Sequence, residues 1–275
     1  MNIARPLPRR VSPAEIGPSL REGWKTLRAV GTPAYLLGGL FAFIGTLLIW
    51  GLQVAGLAPM TLPVVGGFLL VGPVSAAGFF GLSQAARGGS RPRLRDLLQG
   101  FRRASREVWV MALLCVFLFL IWITDAGTLY SFMIGERSHG LLAILPLTER
   151  TLHYVLGSGL MGAGLAAIVF VVTVHGVPLL IARRTALVGA VGSSVRAVFS
   201  GFVAHVLWGA LMAAVVMVSI IVPPLLALVL PLFVYAGEAF HHRVFPVDEN
   251  DQPPRGAEKV SLRTGDHGRE DETED

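Results

Sequence analysis

The sequence predicts an all-α polytopic transmembrane bundle of six spans with both termini cytoplasmic, and three observations carry that prediction. Hydrophobic residues make up 53% of the 275 positions and charged ones only 15%, with a mean hydropathy of +0.63, where soluble domains carry ~25% charge. Apolar runs recur at the length of about 20 helical residues that crosses a bilayer. Between Pro33 and His242, Lys and Arg concentrate at Arg87 to Arg106 and at Arg183 to Arg196, with a smaller cluster just ahead of Pro33. Cytoplasmic loops collect such residues, so their spacing gives an orientation as well as a location.

The elements follow in order. Residues 1–32 form a cytoplasmic segment. It is basic but has no apolar core with a small-residue cleavage site, so the first span is expected to serve as its own uncleaved signal. Within it Ser19 and Glu22 have the spacing of a capping box. Leu20, Trp24 and Leu27 recur at helical spacing while Arg21, Lys25 and Arg28 take other faces. That pattern predicts an anchoring helix lying in the membrane interface. The six-span domain covers 33–243. Its first two spans, 34–57 and 64–86, are joined by an uncharged outside turn at 58–63.

The segment 87–107 carries Arg91, Arg93, Arg95, Arg102, Arg103 and Arg106 besides Arg87, against Asp96 and Glu107. Leu94, Leu97, Leu98, Phe101 and Val108 keep the i, i+3, i+4, i+7 spacing of an amphipathic helix. It is expected to lie along the inner leaflet. The third span is 108–130. An external excursion at 131–154 follows, whose apolar middle, 141–147, is too short to cross and is expected to touch or re-enter the membrane. The fourth span is 155–182, and Arg183, Arg184 and Arg196 mark a second cytoplasmic loop. The fifth is 199–222, Pro223 and Pro224 make the last outside turn because proline withholds the amide a helix needs, and the sixth is 225–241. The tail, 244–275, is polar, ends acidic and is expected to be disordered. The layout of span, arginine-bearing amphipathic loop and span occurs twice; setting 96–113 against 194–211 places Phe101 on Phe199 and Leu113 on Leu211, the arrangement of a parallel repeat.

Little in this composition does chemistry. Cys115 is the single cysteine, which excludes an intramolecular disulfide or thiolate cluster. Ionisable groups within spans cost ~2.5–3.5 kcal/mol on insertion scales and so mark candidate sites. Four stand out: Asp125 near the outer end of span three, His175 in span four, His205 in span five and Glu238 near the inner end of span six. Glu238 and His241 share a helical face through E-x-x-H spacing. Carboxylate-bridged metal sites in bundles need two such motifs and two further glutamates, so no metal ligand set is read here, and His241 and His242 are placed at the inner interface. Small-xxx-small pairs such as Ser158 and Gly162, Gly159 and Ala163, and Ala210 and Ala214 predict close helix approach. No phosphate-binding glycine loop, HExxH, GxSxG or paired catalytic carboxylate appears. The sequence is accordingly read as non-enzymatic, with no cofactor.

Several stretches together resemble a known family. GWKTLR ahead of span one, PVVGGFLLVGPVSAAGFFGLS in span two, SVRAV before span five and PLFVYAGEAFHHR in span six are similar to the bacterial predicted integral membrane proteins grouped as domain of unknown function 2189. The similarity extends over about 20–243. It implies a six-span inner-membrane protein with no assigned activity. In that family a glycine-histidine pair usually closes the sixth span, whereas here Gly237 precedes Glu238. Some relatives carry a cytochrome c oxidase label; a haem-copper core needs about six histidine ligands in the bundle, and only His175 and His205 lie clearly within spans.

The expected role is a structural, assembly or interaction factor of the bacterial inner membrane. Its arginines (Arg91, Arg93, Arg95, Arg102, Arg103, Arg106, Arg183, Arg184 and Arg196) would contact anionic lipid headgroups, each worth ~1 kcal/mol near the surface. The net charge of +5 is thereby assigned to lipid, and nucleic acid is not a partner. A membrane-protein partner or a homo-oligomer fits this role. The alternative is a small transporter or channel with a polar path near His175, His205 and Asp125, which requires those three to converge on a cavity.

Overall fold

A computed structural model of the protein describes residues 7–68, 72–137, 140 and 148–246. Two sequence expectations, the membrane-touching piece at 141–147 and the tail from 247 onward, lie outside the described residues; the first tail residues, Val244 and Phe245, are instead buried at the end of the last helix. Among the described residues there are ten α-helices: α1 (Ile16–Val30), α2 (Thr32–Ala55), α3 (Thr61–Phe68), α4 (Gly72–Arg87), α5 (Leu94–Arg103), α6 (Arg106–Met133), α7 (Glu149–Ile181), α8 (Leu187–Ser200), α9 (Phe202–Ile221) and α10 (Leu226–Val244). Among the described residues, five segments are long and apolar enough to cross a bilayer: α2, α6, α7, α9, and α10 with the turn before it. The region expected for span two holds α3 and α4, with 69–71 between them outside the described residues. Large apolar side chains face outward along the long helices, among them Leu113, Phe117 and Leu120 on α6 and Val203, Val206 and Leu207 on α9. In water such a surface would aggregate; in lipid it is the solvated face.

Each boundary has a local cause. Gly31 sits at φ 68°, ψ −137°, a conformation open to glycine, and separates α1 from α2. Gly56 closes α2 in the left-handed region, with the Leu57 amide returning to the Leu52 carbonyl as in a Schellman motif. Thr148 caps α7 by accepting from the Thr151 amide at 3.2 Å. Gly201, at ψ 44°, ends α8 and starts α9. The fifth span therefore begins at Phe202 instead of Phe199, because Phe199 and Ser200 still belong to the separate helix α8.

At one end of the bundle the three basic segments meet. There the short helices pack on protein, each on the part of a neighbouring helix nearest that end. α1 lies on α10, with Gly23 so close to Ala236 that a Cβ at position 23 would fall 2.5 Å from the Ala236 amide nitrogen. Leu27 and Val30 then bury against Tyr235, Phe79 and Leu82. α5 lies on α4 through Gly100 and Gly81; a Cβ on Gly81 would stand 2.6 Å from the Asp96 carbonyl oxygen. α8 lies on α7 through Ser194. Each docking helix thus carries a glycine or serine at its closest approach, which lets backbones meet where no large side chain fits.

These contacts correct three expectations. The apolar face of α1 is covered by α10, α2 and α4 residues instead of lipid, so α1 is a packed element of the bundle. Ser19 lies inside α1, buried, with its hydroxyl donating to the Glu15 carbonyl at 2.7 Å; the capping box does not form because the helix has already begun at Ile16. α5 ends at Arg103, where Ala104 turns to ψ 130°, and Val108 belongs to α6. The recurring layout of helix, docked short helix and span is present as α4–α5–α6 and α7–α8–α9, and α1 extends it by docking on the last span before leading into α2.

The opposite end is closed by an aromatic cluster. Tyr154 and Tyr130 meet edge to face at 5.9 Å, the Tyr154 hydroxyl donates to Met60 Sδ at 3.0 Å and the Tyr130 hydroxyl to the Glu136 carbonyl at 2.6 Å. Between the ends, Trp122 of α6 fills the space above Gly162 of α7 and donates its indole N–H to the Ser158 carbonyl at 3.3 Å. The Ser158 and Gly162 pair is thus a helix contact. Ala163, Ala210 and Ala214 are exposed, and a Cβ on Gly159 would meet open space, so those pairs do not pack within the chain.

Candidate functional site

Three histidines from three spans meet in the interior. His175 on α7 and His205 on α9 are wholly buried, and His241 on α10 is 3% exposed. Nε2 of His175 lies 2.8 Å from Nε2 of His205, and Nδ1 of His175 lies 3.2 Å from Nδ1 of His241. The chain ends on backbone, with Nδ1 of His205 2.8 Å from the Gly201 carbonyl at the α8–α9 break. α8 supports it from behind. The Ser194 hydroxyl accepts from the His175 amide at 3.2 Å and donates to the Val171 carbonyl at 2.7 Å, sitting between the two ends of one helical hydrogen bond.

The protons in this chain follow from its end point. A carbonyl only accepts, so Nδ1 of His205 carries a proton and, in the neutral ring, Nε2 does not. His175 must then donate from Nε2, which leaves its Nδ1 as acceptor for the Nδ1–H of His241. One assignment of neutral tautomers satisfies every link. Aromatic rings jacket the chain: Phe240 stacks on His175 at 6.0 Å and on Trp208 at 5.3 Å, and Phe245 lies 5.5 Å from His175. In such a dry environment each N–H···N bond is strengthened, and an unmatched partner would be costly.

Glu238 belongs to a different cluster. It is 6% exposed and points to α4, where Arg87 Nη2 reaches Oε1 at 2.9 Å and the Ser83 hydroxyl donates to the same oxygen at 3.4 Å. His242, one turn on, stands 3.9 Å away. The E-x-x-H pair is therefore split: His241 turns toward α7 and Glu238 toward α4. Among the described residues no group of three or more His, Cys, Asp and Glu side chains is arranged to hold a metal ion. Alanine at Arg87 would leave the Glu238 carboxylate without its charged partner and is expected to cost about 1–3 kcal/mol. Glu238→Gln added to Arg87→Ala should recover part of the loss in a thermal-unfolding comparison; no recovery would show that Arg87 acts by packing alone.

Of the predicted candidates, His175 and His205 converge and Asp125 does not. Met111 of α6 packs in the same core cluster as Val177, Ala204 and Phe240, which flank the histidines, and Asp125 lies about 21 Å farther along α6 at 1.5 Å per residue. His241 was assigned to the inner interface and is instead the third member of the chain. Its signal was its separation from His242 by one position, which puts the two rings on different faces, one toward the core.

The arginines divide into two groups. Arg91, Arg93, Arg95, Arg102, Arg103, Arg106 and Arg196 are exposed at the arginine-bearing end. Others tie the docked helices together. Arg243 pairs with Glu15 at 2.9 Å and Glu22 at 3.2 Å on α1 and its lead-in; Arg184 donates to the Phe245 carbonyl at 3.3 Å, and Arg183 to the Arg103 carbonyl at 3.1 Å. Arg184 and Arg183 thus serve as struts as well as surface charge.

With that geometry in place, comparison with known proteins bears on the site. Residues 61–182 match the family model described as predicted integral membrane protein DUF2189. The DUF2189 match takes in α3 to α7, with Arg87 to Arg106, Asp125 and His175, and it bears out the resemblance carried by the span-two segment. His205, Glu238 and His241 lie beyond the matched residues, as do GWKTLR, SVRAV and PLFVYAGEAFHHR. No match was found among curated proteins or solved structures. The chain is a multi-pass integral membrane protein in contact with the lipid bilayer, and the DUF2189 description names no activity.

Proposed function

We propose that this protein is a non-enzymatic interaction or assembly factor of the bacterial inner membrane, working from its arginine-bearing end on the cytoplasmic side. One observation carries the reading. The intramembrane histidines are engaged by one another, His175 by His205 and His241, and one carboxylate oxygen of Glu238 is held by Arg87, whereas the arginines left over project from one end on docked, close-packed helices. Such an end offers a stiff basic platform for a membrane-protein partner and for anionic headgroups.

A transporter or channel is favoured by the histidine chain, since intramembrane titratable groups often mark a path. The chain, however, ends on the Gly201 carbonyl, which cannot pass a proton on. It also lies close to the arginine-bearing end, His175 being about 9 Å along α7 from Ile181 at 1.5 Å per residue, where transporter sites lie near the midplane.

Gentle solubilisation of native membranes tests the platform. The wild type is expected to run with a stoichiometric partner, and a variant with Glu at Arg91, Arg95 and Arg102 to lose it while keeping its unfolding temperature. A wild type that runs alone, or a variant that keeps its partner, contradicts the reading. Orientation is tested separately. A reporter enzyme active only outside the membrane, fused after Gln99 on α5 or after Gly192 on α8, should be silent, and a signal at either position overturns it.

A further inference from the structure

We propose that a groove between α4, α5 and the end of α7 binds a phosphate-bearing anion, either the headgroup of an anionic lipid or a free phosphate. The inference deepens the platform reading and rests on it. The groove is a cavity of ≈ 590 Å³ at the arginine-bearing end, large enough for a headgroup and too small for a macromolecule. Its polar lining comprises Gln84, Ser90, Asp96, Gln99, Arg103 and Arg183.

Two features aim this lining at an anion. The first is Arg183. Among the described residues it is the non-glycine residue with positive φ, at 53°. It occupies the left-handed position that ends α7, where the Arg184 amide returns to the Leu179 carbonyl, a place glycine fills without strain. An arginine held there against backbone preference has its side chain turned back over α5, with Nη2 on the Arg103 carbonyl. Strain of this kind persists where a function needs the side chain.

The second is charge balance. Among the described residues no carboxylate lies within ion-pair distance of the Arg103 or Arg183 guanidinium, the pairs formed being those of Arg87, Arg95, His242 and Arg243. Glu107 acts on Arg183 only from farther off. Asp96, the acid in the lining, is occupied by the Arg93 amide at 2.7 Å and by Arg95 at 3.8 Å. Two guanidiniums whose planar forks suit phosphate oxygens therefore share one cavity with the amide donors of Gln84 and Gln99.

The test uses the full chain in nanodiscs of phosphatidylcholine, doped in one arm with phosphatidylglycerol and exposed in the other to labelled inorganic phosphate. Arg183→Gly relieves the backbone strain and should keep the fold; Arg103→Gln removes the second cation. Each is expected to weaken retention of the bound species about tenfold, a loss of one to two charge-assisted hydrogen bonds. Retention of phosphatidylglycerol alone identifies a lipid site, and binding of inorganic phosphate in pure phosphatidylcholine a soluble one. Binding of neither probe, or equal binding by wild type and Arg183→Gly, overturns the proposal. The charge-reversed Arg91, Arg95 and Arg102 variant serves as the control. If it keeps its partner and lipid adsorption, the platform reading fails whatever the groove does; if it loses both while Arg183→Gly matches wild type, only the groove fails.

Discussion

Alanine at His175 is expected to destabilise the bundle more than alanine at His205 or His241, by about 3 kcal/mol. His175 is the middle of the chain and touches both other rings. Its removal leaves the acceptor Nε2 of His205 and the donor Nδ1–H of His241 unmatched in an aromatic jacket, and it opens a cavity against Phe240 and Phe245. Hydrogen bonds between membrane helices average only about 0.6 kcal/mol, so most of the loss comes from the cavity and the unmatched partners. Thermal unfolding in detergent measures it. Because the three rings form one unit, His205→Ala added to His175→Ala should cost far less than it does alone. Additive losses would mean that the histidines stabilise their own helices separately and that the chain is incidental.

Valine at Gly100 is expected to detach α5 from α4. A Cβ at that position would run into the Ala77 carbonyl and stand 3.2 Å from Cα of Gly81. Both obstacles are backbone of a packed helix, which cannot move aside as a side-chain tip can. Overpacking of this kind costs about 1–3 kcal/mol, enough to expose Arg95 and Arg102 to trypsin on an undocked segment. Gly159→Ala is the contrast. It belongs to a small-xxx-small pair, yet a methyl there meets open space, so it should be neutral or stabilise by the helix-propensity gain of up to ~1 kcal/mol. Equal trypsin sensitivity in the wild type and Gly100→Val would show that α5 is not held by this contact.

These two sites also show how far the sequence is legible. Span positions could be read because length and hydropathy are local properties: α6, α9 and α10 begin within a few residues of their expected starts, whereas α7 begins earlier, at Glu149 instead of Val155. The boundary between α8 and α9 was placed at Phe199 instead of Gly201 because apolar residues continue through it and only Gly201 interrupts them. Amphipathicity placed α1 and α5 correctly as helices but could not say what covers the apolar face. The discriminating signal was a glycine on that face, Gly23 in α1 and Gly100 in α5, since a helix that rests on lipid has no need of a small residue at its centre.

For the candidate site, His175 and His205 stood out because ionisable groups in spans are costly. Their meeting depends on α8 folding back on α7, a tertiary fact with no local trace. His241 was masked by pairing it with Glu238 at i+3, when its ring and the carboxylate serve different neighbours. Asp125 was grouped with the histidines by residue type alone, and distance along α6 separates them.

Proton flux into vesicles is the most direct test of the claim that the histidine chain is an internal clasp and no pathway. Purified protein in proteoliposomes with a trapped pH-sensitive dye, challenged with a pH step and a potassium-diffusion potential, is predicted to match protein-free vesicles, with His205→Ala no different. Flux in the wild type that His205→Ala abolishes would contradict the account and make the three histidines a conduit.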